Sequence, residues 1–197
     1  MISTLIAIII AYFLGSFSTS IVVLKITKGI DPREEGSGNA GTTNVLRLAG
    51  GKAAALTLAG DVLKGVLAVL IGWAFTRNPF YISLVGVAVY LGHVFPIFHQ
   101  FKGGKGVATG FGALLTMSPL VGLIVVIIWA VVVAIFRYSS LAALVAYLTA
   151  PFLILFISNP AYFIGVAILT AFVFWRHLGN IERLRNHTEQ KIEFGKK

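Results

Sequence analysis

Residues 107–136 read VATGFGALLTMSPLVGLIVVIIWAVVVAIF, and the way this stretch divides decides the topology of the chain. As a single helix it would run ~45 Å, too long for a hydrocarbon core of roughly 30 Å without strong tilt. Divided at Ser118-Pro119, where proline suits the first turn of a new helix, it gives a short apolar segment of ~18 Å followed by a full-length one. Working outward, the runs 2–24, 54–76, 80–98, 140–157 and 160–175 join 119–136 as candidate spans. The first run has no basic stretch ahead of it and ends in FSTSIVVLK without a convincing cleavage site. It therefore reads as a helix rather than a secretory signal.

Charge decides between the two divisions. With seven crossings and the N-terminus outside, 25–53, 99–106, 137–139 and the tail 176–197 all fall on one side. Those segments hold fourteen of the sixteen Lys and Arg residues, leaving Arg77 outside and Lys64 within a span. With six crossings, Arg137 and the tail would land opposite the other basic loops. Basic residues collect on the cytoplasmic side, so seven crossings with a cytoplasmic C-terminus is the expected topology.

Composition agrees. Of 197 residues, 57% are hydrophobic and only 12% charged, against about 25% charged in soluble domains; mean hydropathy is +0.91. Soluble, disordered and coiled-coil classes are excluded. There is no cysteine, so disulfides, thiolate metal sites and cysteine nucleophiles drop out. The net charge of +9 fits basic loops facing anionic lipid rather than nucleic acid. The expected fold class is all-α, a polytopic integral membrane protein of about seven transmembrane helices, with 1–197 a single domain. The outer connections (Arg77-Asn78-Pro79 and Ser158-Asn159-Pro160) are too short to bind anything, so function belongs at the inner face.

Three inner-face segments are more polar than topology requires. Residues 36–47 read GSGNAGTTNVLR, whose glycines, hydroxyls and amides can present successive N–H groups to a phosphate. The alternative is a flexible loop feeding a helix, with Thr42 or Thr43 as N-cap. Residues 92–109 contain Lys102-Gly-Gly-Lys105-Gly, two point charges on a backbone that a ligand can approach closely. It is not a Walker A motif, since no Ser or Thr follows the Lys; an ordinary basic turn is the alternative. His93 ends an apolar helix, where packing is commoner than catalysis. In 176–189, His177, Asn180 and Arg183 recur every three residues and share a face if helical. That stripe suits a phosphorylated ligand, or an amphipathic tail on lipid headgroups. Asp61 and Lys64, three apart, can pair in the apolar layer.

These stretches, GSGNAGTTNVLRLAGGKAAALTLAGDVLKG (36–65), GHVFPIFHQFKGGKGVAT (92–109) and RHLGNIERL…TE (176–189), resemble the three motifs of the bacterial acyl-phosphate-dependent glycerol-3-phosphate acyltransferases. The resemblance covers roughly the whole chain, and FKGGKGVAT is its most specific part. Departures are Ala40 where proline is expected, Thr42 where alanine is common, and His187 where glycine usually precedes Thr-Glu.

The resemblance implies transfer of a fatty acyl group from acyl phosphate to the 1-hydroxyl of glycerol 3-phosphate, the first step of phospholipid synthesis. It implies that Ser37, Gly38, Asn39, Gly41, Thr42, Thr43 and Asn44 cradle one phosphate, with Arg47 neutralising it. Lys102, Gly103, Gly104, Lys105 and Gly106, with His93 nearby, would hold the glycerol 3-phosphate. His177, Asn180 and Arg183 would orient the hydroxyl or stabilise the carbonyl oxygen. Ser37, Arg47, Lys105, His177 and Asn180 are the expected catalytic set. No His-x4-Asp dyad is present, and His177 with Glu182 at that spacing would lie ~140° apart on a helix. An acyl phosphate is already activated, so no cofactor and no metal is expected. Expected partners are the two substrates, membrane lipids and an acyl-phosphate-producing enzyme, for a monomer in the bacterial inner membrane. The alternative from another class is a small transporter for a phosphorylated solute, with Asp61 and Lys64 lining its path.

Overall fold

The computed structural model describes residues 2–193, and every regular element among them is helical. The first apolar run is not one helix. It forms α1 (Ile2–Ser16) and α2 (Thr19–Lys28), interrupted at Phe17-Ser18. A break inside an apolar layer frees helix-end carbonyls that must find donors. Here Nζ of Lys64 supplies them, donating to Gly15 O at 3.2 Å and Phe17 O at 3.0 Å.

The span expected over 54–76 starts earlier, because α3 covers Thr42–Phe75. Its polar first turns hide the start from an apolar-run reading. Gly50, at φ 77° and ψ −174°, kinks it into two pieces. The N-cap is Gly41 rather than Thr42 or Thr43, and no side chain caps it.

Next come α4 (Pro79–Val94), capped by Asn78 Oδ1 accepting from Phe80 N, and a 3-10 turn at Ile97–His99. The decisive stretch divides where proline suggested: α5 (Val107–Met117) and α6 (Pro119–Phe136) flank Ser118. α7 (Ser139–Ile157), a 3-10 turn at Pro160–Tyr162, and α8 (Phe163–Arg176) follow. After a bend of 57° comes α9 (Leu178–Arg185). Five spans among the described residues are long and apolar enough to cross a membrane, six if α8 and α9 form one bent span; α5 is shorter.

The short α5 has a physical explanation. Val107 O accepts from Tyr147 OH, and Tyr147 sits eight residues, ~12 Å, along α7. The loop before α5 therefore dips into the bundle before the helix starts. At the far end, Ser158 Oγ donates to Ser118 Oγ at 2.8 Å, joining the ends of α5 and α7.

The segments expected on one side do converge at the other end. Thr43 Oγ1 donates to Ser139 Oγ at 3.1 Å, Arg137 Nε to Ile192 O at 3.1 Å, and Lys105 Nζ to Asn180 Oδ1. Small residues let the helices cross closely: a Cβ on Gly92 would strike the backbone of α1, and one on Gly112 the backbone of α3. Large apolar side chains such as Phe156 and Ile135 point outward instead, as a lipid-facing surface requires.

Candidate active site

The three polar segments surround one cavity of about 720 Å³. Its mouth is cationic and polar, ringed by Ser37, Arg47, Lys105, Arg176, Asn180 and Arg183. Its depth is apolar, lined by Leu58 and Val62 of α3, Phe111 and Leu115 of α5, and Val126 and Trp129 of α6.

The 36–47 segment works as a loop closed onto a helix start. Gly36 and Gly38 take φ of 63° and 69°, conformations that glycine allows at no steric cost. Asn44 is buried and fully used by the loop: Oδ1 accepts from Ser37 N at 2.9 Å, and Nδ2 donates to Pro32 O at 2.9 Å and Glu35 O at 3.0 Å. It therefore shapes the cradle instead of offering a free amide. Arg33, paired with Asp31 at 2.6 Å and donating to His99 O at 2.9 Å, ties this loop to the turn after α4. Ser37, Gly38, Asn39, Gly41, Thr42 and Thr43 all line the cavity beside the uncapped N-terminus of α3, where the helix dipole favours an anion. Arg47 stands exposed at the rim, its Nη2 3.5 Å from Gln190 O.

The second segment is used differently from expectation. Lys105 and Gly106 line the cavity; Lys102, Gly103 and Gly104 do not. Lys102 is exposed. Gly103 N donates to Val94 O at 3.2 Å and Gly104 N to His93 O at 3.3 Å, folding the loop back on the end of α4. A Cβ on Gly103 would strike His93 O, and one on Gly104 the His93 ring and Ala40 O. These glycines permit close packing. Gly106, at φ 77°, lies against the ring of Tyr90, whose OH donates to Lys105 O at 2.9 Å. The effect is to hold Lys105 inward. Burial pulls its ammonium down to about 8, with the neighbouring arginines adding to the fall and Glu189 opposing it.

In the third segment, His177 precedes α9 and Asn180 lies within it; both are buried at the cavity, while Arg183 is exposed at its edge. His177 Nδ1 lies 2.7 Å from Val173 O, which can only accept, so Nδ1 carries the proton and Nε2 keeps its lone pair. Beyond the end of α8, burial and then the Lys105 charge push this imidazole down to about 4, leaving it neutral at ordinary pH. The sequence reading missed the group that organises this segment. Glu189 Oε1 accepts from Ser140 Oγ and Asn180 Nδ2, both at 2.6 Å, and Oε2 pairs with Arg183 at 2.7 Å. Burial raises its carboxyl, but these three donors outweigh that and hold it below the usual range. The signal was present as the Thr-Glu ending the third motif: an acid in a basic tail. Arg176, also missed, donates to Gly103 O and Gly104 O at 3.4 and 3.3 Å.

Asp61 and Lys64 pair as expected, at 3.0 Å, and His93 joins them with Nδ1 2.7 Å from Lys64 Nζ. No group of three or more His, Asp or Glu side chains among the described residues could hold a metal ion.

The glycerol-3-phosphate acyltransferase family model matches residues 5–187. The chain belongs to that family. A glycerol-3-phosphate acyltransferase of Halorhodospira halophila is 50% identical over 188 residues, covering 95% of each chain. One of Coxiella burnetii is 46% identical over 189 residues, covering 96% of this chain and 98% of its own. Among solved structures, the chain is similar to PlsY (YgiH), described as an integral membrane glycerol 3-phosphate acyltransferase. Its glycerol 3-phosphate form superposes with a TM-score of 0.91 at 37% identity, covering 97% of this chain and 96% of that one. Its lysophosphatidic acid form gives a TM-score of 0.89. This chain is thus a multi-pass membrane member of the acyltransferase family, and the cavity is its candidate active site.

Proposed function

We propose that this chain moves a fatty acyl group from an acyl phosphate to the 1-hydroxyl of glycerol 3-phosphate, releasing phosphate. One observation carries the reading: a single cavity has a cationic, N–H-rich mouth and an apolar depth. Two phosphorylated head groups suit the mouth, and only an alkyl chain suits the depth. The solved relative with glycerol 3-phosphate and lysophosphatidic acid forms supports the same acceptor and product.

In this reading the start of α3, with Ser37 and Arg47, holds one phosphate and Lys105 the other. The acceptor oxygen forms a bond to the acyl carbon while the bond from that carbon to the phosphate oxygen breaks, and the leaving phosphate takes the electron pair. The proton needs an acceptor. His177, with its low basicity, serves better by accepting a hydrogen bond at Nε2 and aiming the hydroxyl. A phosphate oxygen, whose second pKa is ≈ 6, takes the proton. Asn180 and Glu189 keep Lys105 in place. Because the donor is a mixed anhydride, positioning and charge neutralisation can supply most of the rate. Seven crossings, an outer N-terminus, a cytoplasmic-face site in the inner membrane, a monomer, and supply by an acyl-phosphate-producing enzyme complete the proposal.

The test is acyl transfer by the purified, lipid-embedded protein from palmitoyl phosphate or palmitoyl-CoA to radiolabelled glycerol 3-phosphate. Labelled lysophosphatidate from the phosphate donor alone is expected. Product from the CoA donor alone would overturn the donor assignment.

A further inference from the structure

The buried Asp61–Lys64–His93 cluster is not absorbed by that reading. All three side chains are at most 7% exposed and sit in the apolar layer, where ionisable groups are costly to keep. One use is structural, since Lys64 satisfies Gly15 O and Phe17 O at the α1–α2 break. That accounts for Lys64 and for Asp61 as its counter-charge. It does not account for a histidine with its ring on the cavity wall.

With Lys64 held as an ammonium by Asp61, its contact with His93 sets the state of that ring. A lysine ammonium only donates, and Lys64 Nζ lies 2.7 Å from His93 Nδ1, so Nδ1 accepts. Asp61, at 3.6 Å from Nδ1, is beyond hydrogen-bond reach and pairs with Lys64 instead. The Asp61–Lys64 pair is neutral as a unit, and so is His93, whose proton then sits on Nε2. Nε2 is the ring edge that faces Gly104, beside the loop that brings in Lys105. The cavity thus carries two buried histidines of opposite sense: His177 presents a lone pair and His93 an N–H.

Position along the cavity says what the N–H addresses. Asp61 lines the cavity beside the apolar Leu58 and Val62 on the same face of α3, while His93 Nε2 stands by the loop that carries Lys105. In an acyl donor, the group between phosphate and alkyl chain is the carbonyl.

We propose that His93 is a catalytic residue whose Nε2–H donates to the acyl carbonyl oxygen as it gains charge, and that Lys64, neutralised by Asp61, is the positioning residue that keeps the proton there. The proton stays on Nε2 throughout; the device is a neutral, preorganised oxyanion donor. This rests on the acyl-transfer reading above.

The experiment combines NMR of the full chain, labelled with ¹⁵N-histidine in lipid discs, with kinetics. Wild type is expected to show His93 protonated at Nε2, the resonance being assigned by its loss in His93→Gln. Protonation at Nδ1 would overturn the proposal without any variant. His93→Leu should lose on the order of 100-fold in kcat, with the KM for glycerol 3-phosphate within about twofold. His93→Gln, whose amide N–H can reach the Nε2 position, should recover most of that loss. The Asp61→Asn/Lys64→Met pair removes both charges, so no unpaired charge is left buried. It should mix the His93 tautomers and lower kcat, and should cost less in the His93→Gln background than in wild type. Full activity in His93→Leu, or losses from the pair that simply add to those of His93→Gln, would reduce the cluster to a helix clamp. Absence of acyl transfer by wild type from either donor would overturn the functional reading instead, while the tautomer would still be readable.

Discussion

The loops Gly36–Gly41 and Lys102–Gly106 look alike in sequence, glycine-rich and next to cations, yet the fold uses Gly38 of the first and Gly103 and Gly104 of the second for opposite purposes. In the first, Gly36 and Gly38 adopt positive φ so that the chain can turn at the cavity mouth, and Asn44 locks the turn from inside. In the second, Gly103 and Gly104 have ordinary backbone angles and no room: His93 and Ala40 O occupy the space a side chain would need. One loop lines the cavity with its backbone. The other packs its backbone against α4 so that a single side chain, Lys105, is delivered beneath the surface. A glycine-rich stretch is therefore not by itself a phosphate cradle; what the missing Cβ would have touched decides.

The sharpest way to break this comparison is to treat the two lysines of the second loop alike. Lys105→Ala should lower kcat/KM by about 100-fold, since a buried charge-assisted contact of ~3 kcal/mol is removed. Lys102→Ala, exposed and outside the cavity, should stay within about twofold. Equal losses in a steady-state assay would restore the two-lysine cradle.

The glycines give a somewhat smaller contrast. Gly104→Ala must shift His93 or the loop, and a displacement of ~1 Å at a reacting centre can cost on the order of 100-fold; 10-fold to 100-fold is expected. Gly38→Ala meets only ordinary contact with Arg33 O at 3.5 Å. It should lose roughly 1–2 kcal/mol of local stability from its positive φ, and less than about fivefold in activity. Comparable kinetic defects in the two would show that the mouth loop is as rigid as the buried one.

Acidity separates the loops as well, because Lys105 is pulled down to about 8. In the proposed reaction its charged form binds phosphate, so kcat/KM should be level between the phosphate pKa of about 6 and pH 8 and fall about tenfold per unit above it. A bound phosphate favours the protonated lysine, so the limb in kcat should lie higher. Lys105→Arg should abolish the limb, since arginine stays charged, while lowering the whole profile because a planar fork does not replace a compact ammonium. A limb that survives in Lys105→Arg would belong to another group.

Much of this was legible in sequence, for a definite reason. Apolar runs and the one-sided distribution of basic residues are summed signals over many positions, so the all-helical membrane class, the division at Ser118-Pro119 and the gathering of the polar segments come through. The break at Phe17-Ser18 was not legible, because the donor that satisfies it, Lys64, is distant in the chain. Nor could spacing show that Asn44 is spent on its own loop, that Lys102 stays outside the cavity, or that Glu189 joins Asn180, Arg183 and Ser140. Each of these is a property of partners that only the fold brings together.

The smallest effect tests a departure noticed in sequence, His187 where the resembling family usually has glycine. After α9, His187 N donates to Leu184 O at 3.2 Å and Thr188 N to Arg183 O at 2.8 Å. That pair of bonds closes a helix with a left-handed residue just past its end. His187 is that residue, at φ 56°. The turn sets the course of the chain into Glu189, so glycine suits the position through backbone freedom, not through any ligand. His187→Gly should relieve the positive-φ cost and forfeit part of the gain to unfolded-state entropy, for a net stabilisation of about 0.5 kcal/mol. His187→Ala should show no such gain, because its Cβ meets the same backbone clash. Thermal unfolding in one detergent compares the three proteins, and kcat/KM should be unchanged in all of them. A gain shared by glycine and alanine would place the cost in the imidazole rather than in the turn.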